Sequence, residues 1–184
     1  MRLFAALPVT GEAERELRAL LARCRGRDWP VKWVRDDGLH VTLRFLGEVA
    51  SERVSMVREA LGGAVAGTPA LPFSPTELGA FPSLARARVL WAGYDSEAAL
   101  ELLAHRVERA VMELGFPAEP RAFRPHVTLG RVREGARLPR EGLGALAAET
   151  LTAAFVVVRV VLYESRTGAG GSRYEELASF ALGQ

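Results

Sequence analysis

One tetrapeptide that occurs twice constrains this chain more strongly than any other feature of its sequence. The residues His-Val-Thr-Leu begin at His40 and again at His126, and these are two of only three histidines in the chain. Thr10 suits the N-cap of a helix and lies 30 residues before the first copy, while Asp95 suits a second N-cap and lies 31 residues before the second. This matched spacing predicts an internal repeat.

The order of elements around the repeat predicts the fold. In each half, apolar runs and turn residues indicate a strand, a helix and a strand, followed by a further helix and strand. This order is typical of two ferredoxin-like (βαββαβ-type) half-domains of the α+β class, with mostly antiparallel sheets facing a central cleft. We place the repeat at roughly residues 1–80 and 87–165 and, because no low-complexity linker separates them, treat residues 1–184 as a single bilobed domain.

Several elements are predicted at definite positions. Strands are expected at residues 39–46, 126–132 and 152–163, a long helix after Asp95, and a flexible hairpin turn at residues 168–171. The helix after Thr10 is expected to bury one apolar face, formed by Ala13, Leu17, Leu20, Leu21 and Cys24.

Each copy of the tetrapeptide places two chemical groups on one face of a strand. Residues two apart share a face, so His40 and Thr42 point to one side while Val41 and Leu43 point to an apolar layer. A single His-x-Thr is commonly a half-exposed polar face. Two copies at matched positions of a repeat instead predict two strands that face each other across a cleft, each with an imidazole and a hydroxyl.

Two imidazoles and two hydroxyls suit phosphoester chemistry. A neutral imidazole can take a proton from the attacking water or hydroxyl, while an opposite imidazolium gives one to the leaving oxygen. Hydroxyls and arginines can bind the non-bridging phosphate oxygens. We predict no metal and no cofactor, because there is only one cysteine and no aspartate lies beside either histidine; the four aspartates are Asp28, Asp36, Asp37 and Asp95.

Composition excludes several classes of protein. The longest strongly apolar stretch, residues 153–158, ends at Arg159 and is far too short to cross a membrane. We therefore expect a cytoplasmic monomer with no membrane partner. The net charge is only +2, but Lys32 is the only lysine among 24 basic residues. The relevant question is therefore whether a few arginines converge on the cleft.

Longer segments around the tetrapeptides resemble a known family. Residues 33–47 and 123–131 resemble the two signature motifs of the 2H phosphoesterases, in particular the bacterial and archaeal RNA 2′,3′-cyclic phosphodiesterase branch, also called 2′-5′ RNA ligase. Residues 2–5, and residues 162–165 with Tyr174, are similar to that branch as well. The resemblance spans nearly the whole chain.

The resemblance implies a metal-free enzyme that opens 2′,3′-cyclic phosphate ends of RNA and leaves a 2′-phosphate. It also implies that a 5′-hydroxyl can replace water, which joins RNA ends through a 2′-5′ linkage. His40 and His126 are implied to be the acid and base, and Thr42, Thr128 and Arg131 to bind the phosphate. We favour His126 as base and His40 as acid, although the sequence leaves their order open.

Three residues have more than one possible place in this scheme. Arg131 lies an odd number of residues from His126, so the strand must twist or end near Gly130 for both side chains to share a face. Arg44 lies four residues after His40, so a regular strand would place both side chains on the same face. It is either a substrate contact or a solvated strand residue. Phe4 either stacks on a base near the cleft or belongs to the core.

Two other functions stay open at this point. A 2H enzyme can act on a small cyclic nucleotide or an ADP-ribose cyclic phosphate instead of RNA. The same cleft can also serve a non-catalytic RNA-binding module, with the arginine-rich segments 121–124 and 131–140 along the RNA path. Two intact His-Thr pairs favour an enzyme, because simple binding does not need two proton-transfer groups.

Overall fold

Strands and helices alternate along most of the chain. The structure, a computed structural model, describes residues 1–168 and 171–183. Within these residues the chain forms nine strands and four α-helices: β1 (Arg2–Pro8), α1 (Gly11–Arg25), β2 (Val31–Trp33), β3 (His40–Glu48), α2 (Val54–Val65), β4 (Leu71–Phe81), β5 (Val89–Ser96), α3 (Ala98–Glu113), β6 (His126–Val132), α4 (Arg140–Ala147), β7 (Phe155–Val157), β8 (Arg159–Gly168) and β9 (Gly171–Ala181).

The described strands join one antiparallel sheet. Its order is β7-β4-β5-β6-β3-β1-β8-β9, and β2 pairs with β6 beside this path. The strands that carry the tetrapeptides, β3 and β6, are neighbours in the middle of the sheet, where Val41 pairs with Val127. The predicted α+β class and antiparallel pairing are therefore confirmed, with the strands of both halves joined in one continuous sheet.

The two sequence halves interlock within this sheet. Strand β4 comes from the first half but lies beside β5, and β8 comes from the second half but lies beside β1. Each side of the sheet thus contains a strand supplied by the other half. The division at residues 1–80 and 87–165 stays a prediction, as does the treatment of residues 1–184 as one domain.

The core lies between one face of the sheet and the helices. The predicted apolar face of α1 is confirmed, since all five of its residues are buried. Helix α3 contacts β3 and α2, and α4 contacts β4. Of the alternating residues in the central strands, Val41, Val127 and Leu129 are fully buried. The helices therefore occupy one face of the sheet and leave the histidine face open.

Two predicted elements differ from the observed ones. Asp95 is not an N-cap, because β5 continues to Ser96 through pairing with β4, and Glu97 precedes α3 instead. The predicted strand at residues 152–163 begins at Phe155 and divides at Val158. Its pieces, β7 and β8, lie toward opposite ends of the sheet order although a single residue separates them, so the sheet must curl to bring its ends together.

The hairpin predicted at residues 168–171 joins β8 to β9. Gly168 pairs with Gly171, and residues 169–170 of the turn lie outside the described part of the chain. Among the helices of residues 1–168 and 171–183, none is long and apolar enough to span a membrane.

Candidate active site

The two tetrapeptides present the same groups on the open face of the sheet. In β3, His40 and Thr42 are partly exposed while Val41 and Leu43 are buried. In β6 the same alternation recurs over the four residues that begin at His126. The predicted alternation of the two strands is confirmed.

A β-bulge brings Arg131 onto this face as well. The register of β5 against β6 shifts between Leu90 and Trp91, which leaves Leu129 as an extra residue in β6. An extra residue reverses the alternation of side chains beyond it. Arg131 is consequently exposed on the same face as His126. Arg131 lies an odd number of residues after His126 and shares its face because of this bulge, not because the strand ends near Gly130.

Gly130 is required at this bulge by the close approach of β2. A Cβ atom at Gly130 would lie 2.6 Å from Cγ1 of Val31 and 2.9 Å from the ring of Trp33. Both residues belong to β2, and this strand pairs directly with β6. The missing side chain lets β2 hold the segment that carries Arg131.

A second bulge, in β3, brings an aromatic residue instead of an arginine onto the open face. The register of β1 against β3 shifts between Ala5 and Ala6, at the position of Leu43. Beyond it, Arg44 turns to the helix side and is only 7% exposed, whereas Phe45 turns to the open face and is 52% exposed. Phe45 follows the first histidine by five residues, as Arg131 follows the second. The two matched positions therefore hold an aromatic ring and a cation.

Arg44 is held by protein groups. Its Nε lies 2.5 Å from a carboxylate oxygen of Glu108 on α3, and its Nη1 lies 3.4 Å from Glu119. The guanidinium also donates to the backbone carbonyls of Phe45 and Pro117. Arg44 reaches the cavity wall but its nitrogens tie β3 to α3 and the segment after it, so we infer a positioning role rather than substrate contact.

Two adjoining cavities lie over the open face. The aromatic cavity, of about 570 Å³, lies on the side of His126 and has Phe45, Phe81 and Phe123 in its wall. The polar cavity, of about 360 Å³, lies on the side of His40. Both share four residues, which form a common floor: Thr42, Phe45, Thr128 and Arg131. The structure thus brings the sequence-predicted histidines, threonines and Arg131 around one floor.

Four arginines line these cavities, which answers the question that the composition raised. Arg121 and Arg124 line the aromatic cavity, Arg2 lines the polar cavity, and Arg131 lines both. Within residues 1–168 and 171–183, none of these four makes an ion pair with a carboxylate. Of the predicted segment 131–140, only Arg131 is among the lining residues of either cavity.

A backbone carbonyl orients the ring of His126. Nδ1 of His126 lies 2.7 Å from the carbonyl oxygen of Arg124, two residues earlier. The backbone of Gly38, also two residues earlier, acts on His40 by raising its pKa. A ring whose Nδ1–H donates to a carbonyl keeps Nε2 for the cavity. The imidazole of His126 can therefore exchange a proton with a ligand through Nε2 without turning.

Aromatic side chains bury the two rings. His40 lies 4.9 Å from the ring of Phe4 and 5.1 Å from that of Tyr174. His126 lies 5.0 Å from the ring of Phe81. Phe4 is itself only 2% exposed. We therefore infer that Phe4 buries and orients His40, which is closer to the core interpretation of this residue than to base stacking.

Burial lowers the pKa of both histidines. It lowers the pKa of His40 to about 4, and the charge of His126 acts in the same direction. Burial also lowers the pKa of His126, with a further contribution from the charge of Arg131. The carbonyls of Gly38 and Arg124 oppose these effects, which are nevertheless larger. Both rings are thus neutral at neutral pH until a bound anion favours their protonation.

Some residues around the site were missed from the sequence. Phe45 and Phe81 were not predicted to be site residues. The position of Phe45 could have indicated it, because Phe45 follows the first histidine by five residues, as Arg131 follows the second. Ser165, in the polar cavity, lies within the family-like segment 162–165 but was not predicted to be a site residue, and no motif points to Ser172. In the described residues, no group of three or more His, Cys, Asp or Glu side chains is arranged to hold a metal ion.

Known proteins share the sequence and fold of this chain. The family model described as LigT like Phosphoesterase matches residues 7–91 and 94–174. An RNA 2′,3′-cyclic phosphodiesterase of Geobacillus stearothermophilus is 31% identical over 180 residues, which cover 97% of this chain and 56% of that protein. The crystal structure of TT0787 of Thermus thermophilus has a TM-score of 0.83 at 26% identity, covering 99% of this chain and 98% of that one.

A second solved structure contains a nucleotide. Escherichia coli LigT, complexed with 3′-AMP, has a TM-score of 0.80 at 27% identity and covers 100% of this chain and 98% of its own. The resemblance found in the two tetrapeptide segments is confirmed by these comparisons, and the chain belongs to the LigT-like phosphoesterase family.

Proposed function

We propose that this protein hydrolyses the 2′,3′-cyclic phosphate at the end of an RNA and leaves a 2′-phosphate. The observation that carries the proposal is the floor shared by the two cavities, where two threonine hydroxyls and one arginine lie between two neutral imidazoles. Its relatives in the family include proteins named RNA 2′,3′-cyclic phosphodiesterase.

The proposed reaction needs one proton taken and one given. Water attacks phosphorus while one imidazole removes its proton, and the bond from phosphorus to the 3′-oxygen breaks as the other, protonated imidazole donates to that oxygen. The products are a 2′-phosphomonoester and a 3′-hydroxyl. Thr42, Thr128 and Arg131 hold the non-bridging oxygens, whose charge grows in the transition state. When a 5′-hydroxyl replaces water, the corresponding transfer forms a 2′-5′ linkage.

We further propose that His126 is the base and His40 the acid. A substrate in which sulfur replaces the leaving 3′-oxygen separates the roles, because a thiolate leaves without needing a proton. We expect this substrate to restore most of the activity lost in His40→Ala and none of that lost in His126→Ala. Rescue of His126→Ala alone would reverse the assignment.

RNA suits the site better than a small cyclic nucleotide. Four arginines line the cavities and make no ion pair with any described residue, and they extend from one cavity to the other, beyond what a single phosphate contacts. Phosphates along a chain are the anions that such a row of cations recognises. Small cyclic nucleotides and ADP-ribose cyclic phosphate, which the sequence left open, are therefore less favoured and serve as comparison substrates.

The central experiment is incubation with RNA that ends in a 2′,3′-cyclic phosphate, followed by mapping of the product phosphate. We expect a 2′-phosphate, loss of turnover in His40→Ala and in His126→Ala, and full turnover with a chelator present. His105→Ala is the matched control, since this third histidine lies on α3 and lines neither cavity. Binding without turnover would instead identify an RNA-binding module, and restoration by zinc after chelation would refute the mechanism.

A further inference from the structure

The polar cavity contains more anion-binding groups than one cyclic phosphate uses. Beyond the floor shared with the aromatic cavity, its wall includes Arg2, Ser165, Ser172 and Tyr174. These residues come from three adjacent strands, β1, β8 and β9. Ser165 and Tyr174 are directly paired across β8 and β9. One cation and three hydroxyls therefore line a wall beside His40, outside the floor that holds the cyclic phosphate.

Cations dominate the charge at this wall. Burial raises the pKa of the Tyr174 hydroxyl, while the charges of Arg131 and Arg2 lower it, so both guanidinium groups lie near this hydroxyl. The nearby carboxylate is that of Asp37, which is bound by Arg35 through contacts of 3.0 and 3.1 Å. Arg2 is exposed and makes no ion pair among the described residues. The wall is therefore suited to an anion.

We propose that the polar cavity binds the phosphate on the 5′ side of the terminal nucleoside, that is, the phosphodiester before the cyclic phosphate. This inference rests on the proposed function, which places the cyclic phosphate on the common floor. In a ribose, the base is attached at C1′, next to C2′, whereas the 5′-phosphate is attached through C4′, next to C3′. The base and the 5′-phosphate therefore lie on opposite sides of the bond between C2′ and C3′ that carries the cyclic phosphate. A base in the aromatic cavity therefore directs the 5′-phosphate toward Arg2.

The test compares three substrates: adenosine 2′,3′-cyclic phosphate, the same molecule with a 5′-phosphate, and a dinucleotide that ends in the cyclic phosphate. We expect the 5′-phosphate to raise kcat/KM about 10-fold, as for a charge-assisted contact at an exposed site. The dinucleotide should show the same gain, and a dinucleotide with a neutral methylphosphonate linkage should lose it. This arm distinguishes a phosphate subsite from contacts to the second nucleoside.

Arg2 is the residue to vary. Arg2→Ala should remove the gain from the 5′-phosphate, so that kcat/KM falls about 10-fold more for the phosphorylated substrate than for the unphosphorylated one. Arg2→Lys should keep part of the gain because the charge remains. Arg58→Ala is the matched control, since Arg58 is exposed on α2 and lines neither cavity.

The outcomes separate this inference from the proposed function. Equal kcat/KM for the three substrates, or a gain that persists in Arg2→Ala, would overturn the subsite while the hydrolysis stands. A gain for the dinucleotide that survives the neutral linkage would also overturn it, in favour of base contacts. If the wild-type protein hydrolyses none of the substrates, the proposed function fails and the subsite fails with it.

Discussion

The pH dependence of kcat/KM should be a bell on the acidic side of ordinary histidine titration. This parameter reports the pKa values of the free enzyme. Burial lowers the pKa of His40 from 6.5 to about 4. Burial and the charge of Arg131 lower that of His126 below 6.5. Since one ring must be neutral and the other protonated, the rate is greatest between the two values, whichever histidine is the base.

The magnitude follows from these values. The fall of the His40 pKa from 6.5 to about 4 corresponds to about 3 kcal/mol in favour of the neutral ring. Above the higher pKa the protonated fraction falls about ten-fold per pH unit, so kcat/KM should drop about 100-fold between roughly pH 6.5 and 8.5. A bound phosphodiester anion raises both pKa values, and the bell of kcat should therefore lie at higher pH.

The assay measures both parameters from about pH 3.5 to 9 with uridine 2′,3′-cyclic phosphate, because its phosphodiester stays anionic over this range and its base, unlike adenine or cytosine, takes up no proton on the acidic side. Arg131→Gln should lower kcat/KM and move its upper limb to higher pH, because a cation that lowers the pKa of His126 is removed. An upper limb above about pH 7.5, or a rate that rises steadily with pH, would refute the reasoning.

Three further predictions use the same structure. Gly130→Ala places a Cβ 2.6 Å from Val31, so it should lower the free energy of unfolding in urea by about 1–3 kcal/mol and reduce kcat/KM. Gly144→Ala is the harmless control, because its added Cβ would meet no described atom within 4 Å beyond its chain neighbours and its own helix backbone. Phe45→Ala should raise KM about 10-fold by loss of base stacking, but leave KM unchanged for an abasic substrate. His40 binds a proton more weakly in the folded protein than in the unfolded chain, so the free energy of unfolding should fall by about 3 kcal/mol as the pH is lowered from 6.5 to 4. The fall should be smaller in His40→Gln, which lacks this titrating group.

Local patterns predicted the parts of the molecule that depend on local geometry. The apolar face of α1 and the alternation of the residues after His40 and His126 follow from periods of 3.6 and 2, which are properties of the backbone. The bounds of β6 were predicted correctly as well. The direction of the first three side chains of each tetrapeptide was therefore predictable before the fold, because the strands stay regular up to the bulges at Leu43 and Leu129.

Pairing between distant strands decided the parts that were predicted wrongly. Asp95 has the sequence character of a helix cap, but its backbone pairs with Ser74 of β4, and this pairing extends β5 past it. Residues 152–163 were predicted to form one strand, with no break at Val158, because a single charged residue, Arg159, does not by itself end a strand. The break exists because the residues before it pair with β4 and those after it pair with β1.

The two bulges have the largest consequence for the site. With unbroken strands, Arg44 would point to the floor and Arg131 would point away, so the cation would lie beside His40. The extra residues Leu43 and Leu129 exchange these directions, which places Phe45 and Arg131 at the floor. Two matched strands thus supply one aromatic ring and one cation to a site that is otherwise built from equal pairs. A phosphate bound between equal pairs would have two equivalent orientations, whereas a single cation favours one. If the proposed function holds, we therefore expect Arg131 to decide which side of the phosphate faces the nucleoside.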